Sequence, residues 1–235
     1  NPPFDNPKAR QALLHMVKQE HYLQAIIGDE KFWRACGAYF MCDTPLDSDV
    51  GAGPLMNQDL EMARKLLKEG GYNGETLILM DPTDIPVLHG ASLVTAQMLR
   101  KIGAKVEVQA MDWSTLTSRR AETKSIADGG WNIFHTYSTG ADVASPIANI
   151  GVSGGCVEEA WFGWPCDKML EDLRDQFSRE SDPAKQVEIG IALQKRAYEV
   201  VPYVNYGQWF QPTAYRTSLK GVLISPVPFF WNIEK

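Results

Sequence analysis

At 235 residues the chain is long enough to bury a substantial core, and its 44% hydrophobic and 22% charged residues are those of an ordinary globular protein. A net charge of -6, with no run of lysine or arginine, excludes a nucleic-acid surface, which needs a basic patch. No apolar stretch approaches the ~18 residues that cross a bilayer, and the opening NPPFDNPKAR has no apolar signal core, so the chain is expected to be peripheral to a membrane at most.

The segment NPKARQALLHMVKQEHYLQAII starts on Asn-Pro and places Ala12, Leu13, Met16 and Val17 at helical spacing, which predicts one helix. From Gly28 to Pro54 turn residues, aromatics and Cys36 and Cys42 predict a long structured loop. NQDLEMARKLLKEGGY predicts a second helix, capped by Asn57, with Leu60, Ala63, Leu66 and Leu67 inward and Gly70-Gly71 as its stop. ETLILM reads as a strand ended by Asp81-Pro82, and a helix from Pro86 stops at Gly103. AKVEVQAM alternates Val106, Val108 and Ala110 against Lys105, Glu107 and Gln109, a strand pattern; Asp112 then caps a helix. WNIFHTYS predicts a third strand, ending at the loop YSTGADVASP.

Strands alternating with helices imply a mainly parallel sheet flanked by helices, an α/β fold. Ligands of such sheets bind beyond the carboxyl ends of the strands. Loops carrying Asp81 and Asp84, Asp112, and Asp142 occupy that edge. Beyond them, Asp167 to Val201 predicts a helical hairpin turning at SRESDP, with Asp182-Pro183 starting its second helix. YVNYGQWFQPTAYR predicts a pair of strands broken near Pro212, and LKGVLISPVPFFWNIEK an extended, proline-broken tail.

Cys36 with Cys42 and Cys156 with Cys166 form two local pairs at spacings that match no zinc module, and His15, His21, His89 and His135 are scattered. Small disulfides in an exported protein and four reduced thiols in a cytosolic one both fit. His135, inside a strand, reads as a core histidine. Neither a G-x-S-x-G nor a phosphate-binding glycine loop is present, and no cofactor is called for.

NPPFDNPKARQALLHMVKQE, ARKLLKEGGY, QMLRKIGAKVEVQAMDWSTL and ESDPAKQ…LQKRAYEVVPYVNYG together resemble the family 5 extracellular solute-binding proteins, the peptide- and nickel-type receptors of bacterial ABC importers. The resemblance covers nearly the whole chain in the family's order. It implies a periplasmic-binding-protein type II lobe: residues 1–218 as the second, C-terminal lobe of a two-lobed receptor, and 219–235 as a tail that returns to the first lobe. It implies a periplasmic or extracellular location, a small-molecule ligand such as a peptide, opine or chelate, and an importer permease as partner.

TGAD lines up with the motif in which the family's acid pairs with a peptide's amino terminus, and Asp142 falls on that acid. The sequence departs from the pattern at Ser145, where a second acid is common, and at Thr139, where a tryptophan is common. Cys156 and Cys166 fall where dipeptide-type relatives carry a disulfide. A carboxylate in a closing cleft gains roughly 1.5–3 kcal/mol from a charge-assisted hydrogen bond, against ~0–1 kcal/mol for an exposed pair. The competing role for Asp142 is a loop carboxylate that makes an Asx-turn or caps the turn before Pro146. Trp161 and Trp164, in AWFGWP, either line the cleft and replace the missing tryptophan or pack over the disulfide loop; Trp113 either joins them or packs at its helix start. Tyr137 and Thr139 flank the acid. Two other functions stay open: a hydrolase built on Asp81, Asp84, Asp112 and Asp142, and a lobe whose helical hairpin only docks on a permease.

Overall fold

The computed structural model describes residues 1–225 and 229–235. Its centre is a three-stranded parallel sheet. The strands β2 (Thr76–Pro82), β3 (Lys105–Met111) and β4 (Ile133–Phe134) lie in the order β3-β2-β4; a separate two-stranded ribbon pairs β1 (Trp33–Arg34) with β5 (Gln208–Trp209). The α/β expectation is met, with the parallel strands in register from Thr76 opposite Lys105 to Pro82 opposite Met111.

The first predicted helix is two: α1 (Pro7–Met16) and α2 (Gln19–Ile26). Val17 between them is extended. The last carbonyls of α1 are taken by another segment, where the Asp59 amide donates to His15 and Gln58 Nε2 donates to Met16. A helix end satisfied from outside has no need to continue. The cap predicted at Asn57 is also displaced. Asn57 closes the short helix α3 (Gly53–Met56), and Asp59 caps α4 (Leu60–Glu69) by accepting from the Met62 amide at 2.9 Å.

Helix α5 (Pro86–Lys101) links β2 to β3 and ends at Gly103 as expected. On its side of the sheet, Leu77 joins Ala9, Ala12, Ala63, Met98 and Leu99 in one apolar cluster. Small residues let α1 approach α4 closely: a Cβ at Gly70 would stand 2.5 Å from the Ala9 nitrogen, so only glycine fits there. The opposite face, Ile78 and Met80, packs against Leu116 of α6 (Trp113–Arg119) and against Trp131. Adjacent β2 residues therefore serve opposite layers, the period-2 rule at work.

The third strand is shorter than its sequence suggests. Only Ile133 and Phe134 pair with β2. Beyond them the chain turns to other partners, because His135 is buried edge-on against Tyr206 and the Tyr206 hydroxyl donates to the Thr136 carbonyl. The short helix α7 (Cys156–Glu159) precedes the hairpin of α8 (Lys168–Arg179) and α9 (Pro183–Val200), which forms as predicted and starts its second helix at the Asp182 cap.

The strand pair expected within 203–216 does not form. Gln208 and Trp209 pair instead with Arg34 and Trp33, strand residues inside the predicted long loop. In the tail, Lys220 and Glu234 form an antiparallel bridge, while Ile224, Phe230 and Trp231 are exposed. Pro226 and Pro228, the two prolines expected to break that tail, lie outside the described residues.

Candidate functional site

Because β2, β3 and β4 are parallel, their carboxyl ends lie along one edge; Asp81, Asp84 and Asp112 sit at it, while Asp142 is eight residues beyond the end of β4. Asp81 is the last-but-one residue of β2 rather than a loop residue, and is 2% exposed. Its two carboxylate oxygens lie 3.0 and 2.8 Å from Nδ1 of His89, one turn into α5. Asp84 accepts from the Trp113 amide at 2.8 Å, which fixes the start of α6 from the neighbouring loop. Asp112 is the cap the sequence predicts, accepting from the Thr115 amide at 2.9 Å and its hydroxyl at 2.7 Å. Those bonds hold its carboxyl below the usual range, led by the Thr115 hydroxyl.

Asp142 lies in the loop that follows β4. Its Oδ2 accepts from both the amide and the hydroxyl of Thr139, at 2.9 and 2.8 Å, while its own amide donates to the Thr139 carbonyl at 3.0 Å. The donors precede Asp142, so the carboxylate caps the turn 139–142 and makes no Asx-turn among the described residues. The two bonds also orient the carboxylate, and Oδ1 has no hydrogen bond among the described residues. The loop is braced from a distant segment by the Met41 amide, which donates to the Val143 carbonyl at 3.3 Å. Met41 sits inside the ring closed by the Cys36–Cys42 disulfide. Tyr137 is half exposed and meets Trp209 of β5 edge-on at 5.6 Å. Asp142, Thr139 and Tyr137 thus belong to one group, with Met41 and Trp209 beside it.

The predicted tryptophans form a second group. Cys156 and Cys166 are bonded, and the Cys156 amide donates to the Pro165 carbonyl, so the intervening AWFGWP segment is folded back on itself. Trp164 leans on Trp131 at 5.9 Å, and Trp161 on Phe134 at 5.8 Å. Both disulfides of the sequence reading are formed, and the described residues include no free cysteine.

Between Trp113, Trp161, Phe162 and Phe134 lies a residue that the sequence reading missed. The guanidinium carbon of Arg120 is 5.3, 5.4, 4.5 and 5.8 Å from those four ring centroids. Burial lowers its pKa from the ordinary arginine value, and no carboxylate counters the shift. The available signal was the spacing of Trp113 and Arg120: seven residues are two helical turns and place both on one face. Trp113 therefore packs at the helix start and also stacks on a cation. The chain thus presents, on either side of β4 in sequence, a cation among rings and a carboxylate clamped through one oxygen.

His135, beside the same strand end, is 9% exposed; burial lowers its pKa to about 4, so it is neutral near neutral pH. Its burial is that of the core histidine the sequence reading expects, but its Nε2 has no hydrogen-bond partner among the described residues.

The chain matches the family model described as bacterial extracellular solute-binding proteins, family 5, middle region, over residues 1–156. It is 35% identical over 234 residues to a "Probable peptide ABC transporter periplasmic-binding protein y4tO" of Sinorhizobium fredii, covering 99% of this chain and 44% of that protein. The structure is similar to DppA of Helicobacter pylori in complex with peptide STSA, with a TM-score of 0.74 and 19% identity over 99% of this chain and 44% of that one. It is also similar to AgaA of A. tumefaciens R10 in complex with agropinic acid, with a TM-score of 0.72 and 21% identity over 89% of this chain and 41% of that one. The chain spans less than half the length of each. These likenesses show the fold, that of a type II periplasmic binding protein lobe. With the family model covering more than half of its residues, the chain belongs to the bacterial extracellular solute-binding proteins of family 5.

Proposed function

We propose that the chain is the second lobe of a two-lobed receptor that captures a small organic solute, peptide-like or amine-bearing, for a bacterial ABC importer. In this reading residues 1–218 form the lobe and 219–235 return to the first lobe. The receptor works in the periplasm or outside the cell, presents its solute to the importer's permease, and does no chemistry. The helical hairpin α8–α9 is the surface offered to the permease. The described residues contain no helix long and apolar enough to cross a membrane.

The observation that carries the reading is Asp142: a carboxylate in the loop after β4, clamped through Oδ2 and with no hydrogen bond at Oδ1 among the described residues. Such an oxygen receives an ammonium group without first having to be oriented, which is what raises the yield of one polar contact in a binding cleft. Tyr137 and Thr139 line the same group, and the tryptophans Trp113, Trp161 and Trp164 supply apolar wall at the neighbouring strand ends. The names of the relatives agree with such a ligand class, since one is described as a peptide transporter's binding protein and the neighbours hold a peptide and agropinic acid. A hydrolase on the same edge has less to work with. Asp84 and Asp112 are engaged in fixing the start of α6, which leaves such a reading the Asp81–His89 pair.

The test is native mass spectrometry of the full-length protein purified without refolding, comparing wild type with Asp142→Ala. A small-molecule adduct in the first and its loss in the second is the expected result. An adduct undiminished in the variant would leave Asp142 as a turn former only. Closure of two lobes around the solute also implies that this lobe alone binds it weakly or not at all.

A further inference from the structure

We propose that Met41 is an oxidation site whose sulfoxide releases the loop of Asp142, so that a peroxide-class oxidant lowers solute capture and reduction of the sulfoxide restores it. The effect on solute rests on the receptor reading above; the effect on the loop does not.

Within the turn 139–142, Thr139, Ala141 and Asp142 are exposed and Gly140 is half-buried. What covers Gly140 is the Met41 thioether. A Cβ built on Gly140 would stand 2.5 Å from the Met41 sulfur, 3.4 Å from its Cε and 3.5 Å from its Cγ, three contacts from one side chain. A thioether is soft and apolar, and it fills the gap beside a bare stretch of backbone. The Met41 main chain is held on both sides. Its amide donates to the Val143 carbonyl at 3.3 Å, and its carbonyl accepts from the Thr44 hydroxyl at 2.6 Å. The next residue, Cys42, is bonded to Cys36. A change at the sulfur is therefore absorbed by the side chain and by Gly140, not by the backbone of Met41.

Met16, Met80 and Met98 are 1, 0 and 2% exposed, whereas Met41 is half-buried and so open to a small reagent. Its sulfur attacks one oxygen of hydrogen peroxide. An S–O bond forms, the O–O bond breaks, sulfur gives up two electrons, and the departing hydroxide takes the remaining proton and leaves as water. The sulfoxide is polar where the thioether was not. Keeping it against Gly140 buries a strong dipole, and turning it to water uncovers Gly140. Either way the turn that clamps Asp142 loses the packing beneath it. A dithiol-dependent sulfoxide reductase reverses the step, giving back the thioether, one water and a disulfide on the reductant. Met56, 43% exposed, is the competing carrier, because its sulfur approaches Gly37 inside the same disulfide ring. Met169, 55% exposed on α8, is the control for exposure alone.

The experiment treats the full-length protein with graded hydrogen peroxide and compares wild type, Met41→Leu, Met56→Leu and Met169→Leu, each against its own untreated sample. Peptide mass spectrometry reads the oxygen on each methionine, amide exchange reads the loop, and native mass spectrometry reads the co-purified solute. Met41 should oxidise before Met16, Met80 and Met98. Exchange of the Thr139 and Asp142 amides should rise several-fold, and solute occupancy should fall several-fold, in every protein except Met41→Leu. A methionine sulfoxide reductase should reverse both changes. Oxidation of Met41 no faster than that of the core methionines overturns the proposal, as does oxidised Met41 with unchanged exchange. A loss that persists in Met41→Leu, or that Met56→Leu abolishes, overturns it too. If Met41→Leu fails to fold, wild-type fractions with and without the Met41 oxygen decide, and equal exchange in the two overturns the proposal. Wild type that carries no solute before treatment counts against the receptor reading, and exchange at Thr139 and Asp142 then decides the role of Met41 alone.

Discussion

Thr139 donates its amide and its hydroxyl to the same oxygen of Asp142, at 2.9 and 2.8 Å, and so fixes the acid from two directions. The two bonds are separable. Thr139→Val keeps the amide bond and removes the hydroxyl, freeing the carboxylate to rotate. Solute occupancy in native mass spectra of the full-length protein should fall about 5-fold, the equivalent of about 1 kcal/mol for one hydrogen bond. The melting temperature should hardly move, because the loop is exposed. An unchanged occupancy would mean that the clamp does not prepare Asp142 for anything.

His135 gives the lobe a pH dependence of defined sign. Its folded pKa of about 4 is depressed by burial, while the unfolded chain titrates near the ordinary 6.5. Between those values the unfolded state binds more protons, so stability is intact above pH 6.5 and declines as pH falls towards 4. The loss at pH 4 amounts to at most about 3 kcal/mol by linkage. Urea unfolding at pH 7 and pH 4 should show a smaller acid loss in His135→Gln than in wild type. Equal losses would assign the acid sensitivity to other groups.

What could be read from the sequence follows the range over which each element is decided. Strand β2, α5 and β3 are set by local periodicity and by Gly and Pro at their ends, and they lie close to where periodicity puts them. The split between α1 and α2 was hidden, because Gln58 and Asp59, far along the chain, satisfy the end of α1. The β1–β5 ribbon was hidden for the same reason: each strand is two residues long and has no pattern of its own. At the site, the acid loop was legible from its position after a strand. Arg120 was not, because its box is assembled from α6, β4 and the disulfide loop, and no local stretch contains more than part of it.

The Cys36–Cys42 disulfide reaches the candidate site through Met41, whose amide holds the Val143 carbonyl beside Asp142. Replacing both cysteines by serine opens a small ring, which in the chain-entropy account lowers stability by roughly 2 kcal/mol. The expected signature is local as well as global. Amide exchange of Met41 should rise more than that of the β2 amides, and solute occupancy should fall with it. A purely global loss, with exchange raised evenly, would detach the disulfide from the binding loop.

Asp167 ties three parts of the lobe together. Its Oδ1 caps α8 by accepting from the Leu170 amide at 3.0 Å, and Arg196 of α9 donates to both of its oxygens. Its backbone amide donates to Gly154, which leads into the second disulfide. The Arg196 hydrogen bond is the main reason its carboxyl titrates below the usual range. A depressed carboxyl contributes stability that is present above the unfolded value near 4 and is lost as pH falls through the folded one. Asp167→Asn retains an oxygen for the cap and removes the charge facing Arg196. The substitution should destabilise the lobe by about 1 kcal/mol at pH 7, since the pair is half-buried and hydrogen-bonded. The gap between variant and wild type should narrow from pH 7 to pH 3, because below the unfolded value near 4 the unfolded chain of wild type takes up the proton more readily than the native one. Urea midpoints at the two pH values decide it: a gap that is the same at both would place the contribution of Asp167 in its cap and not in its charge.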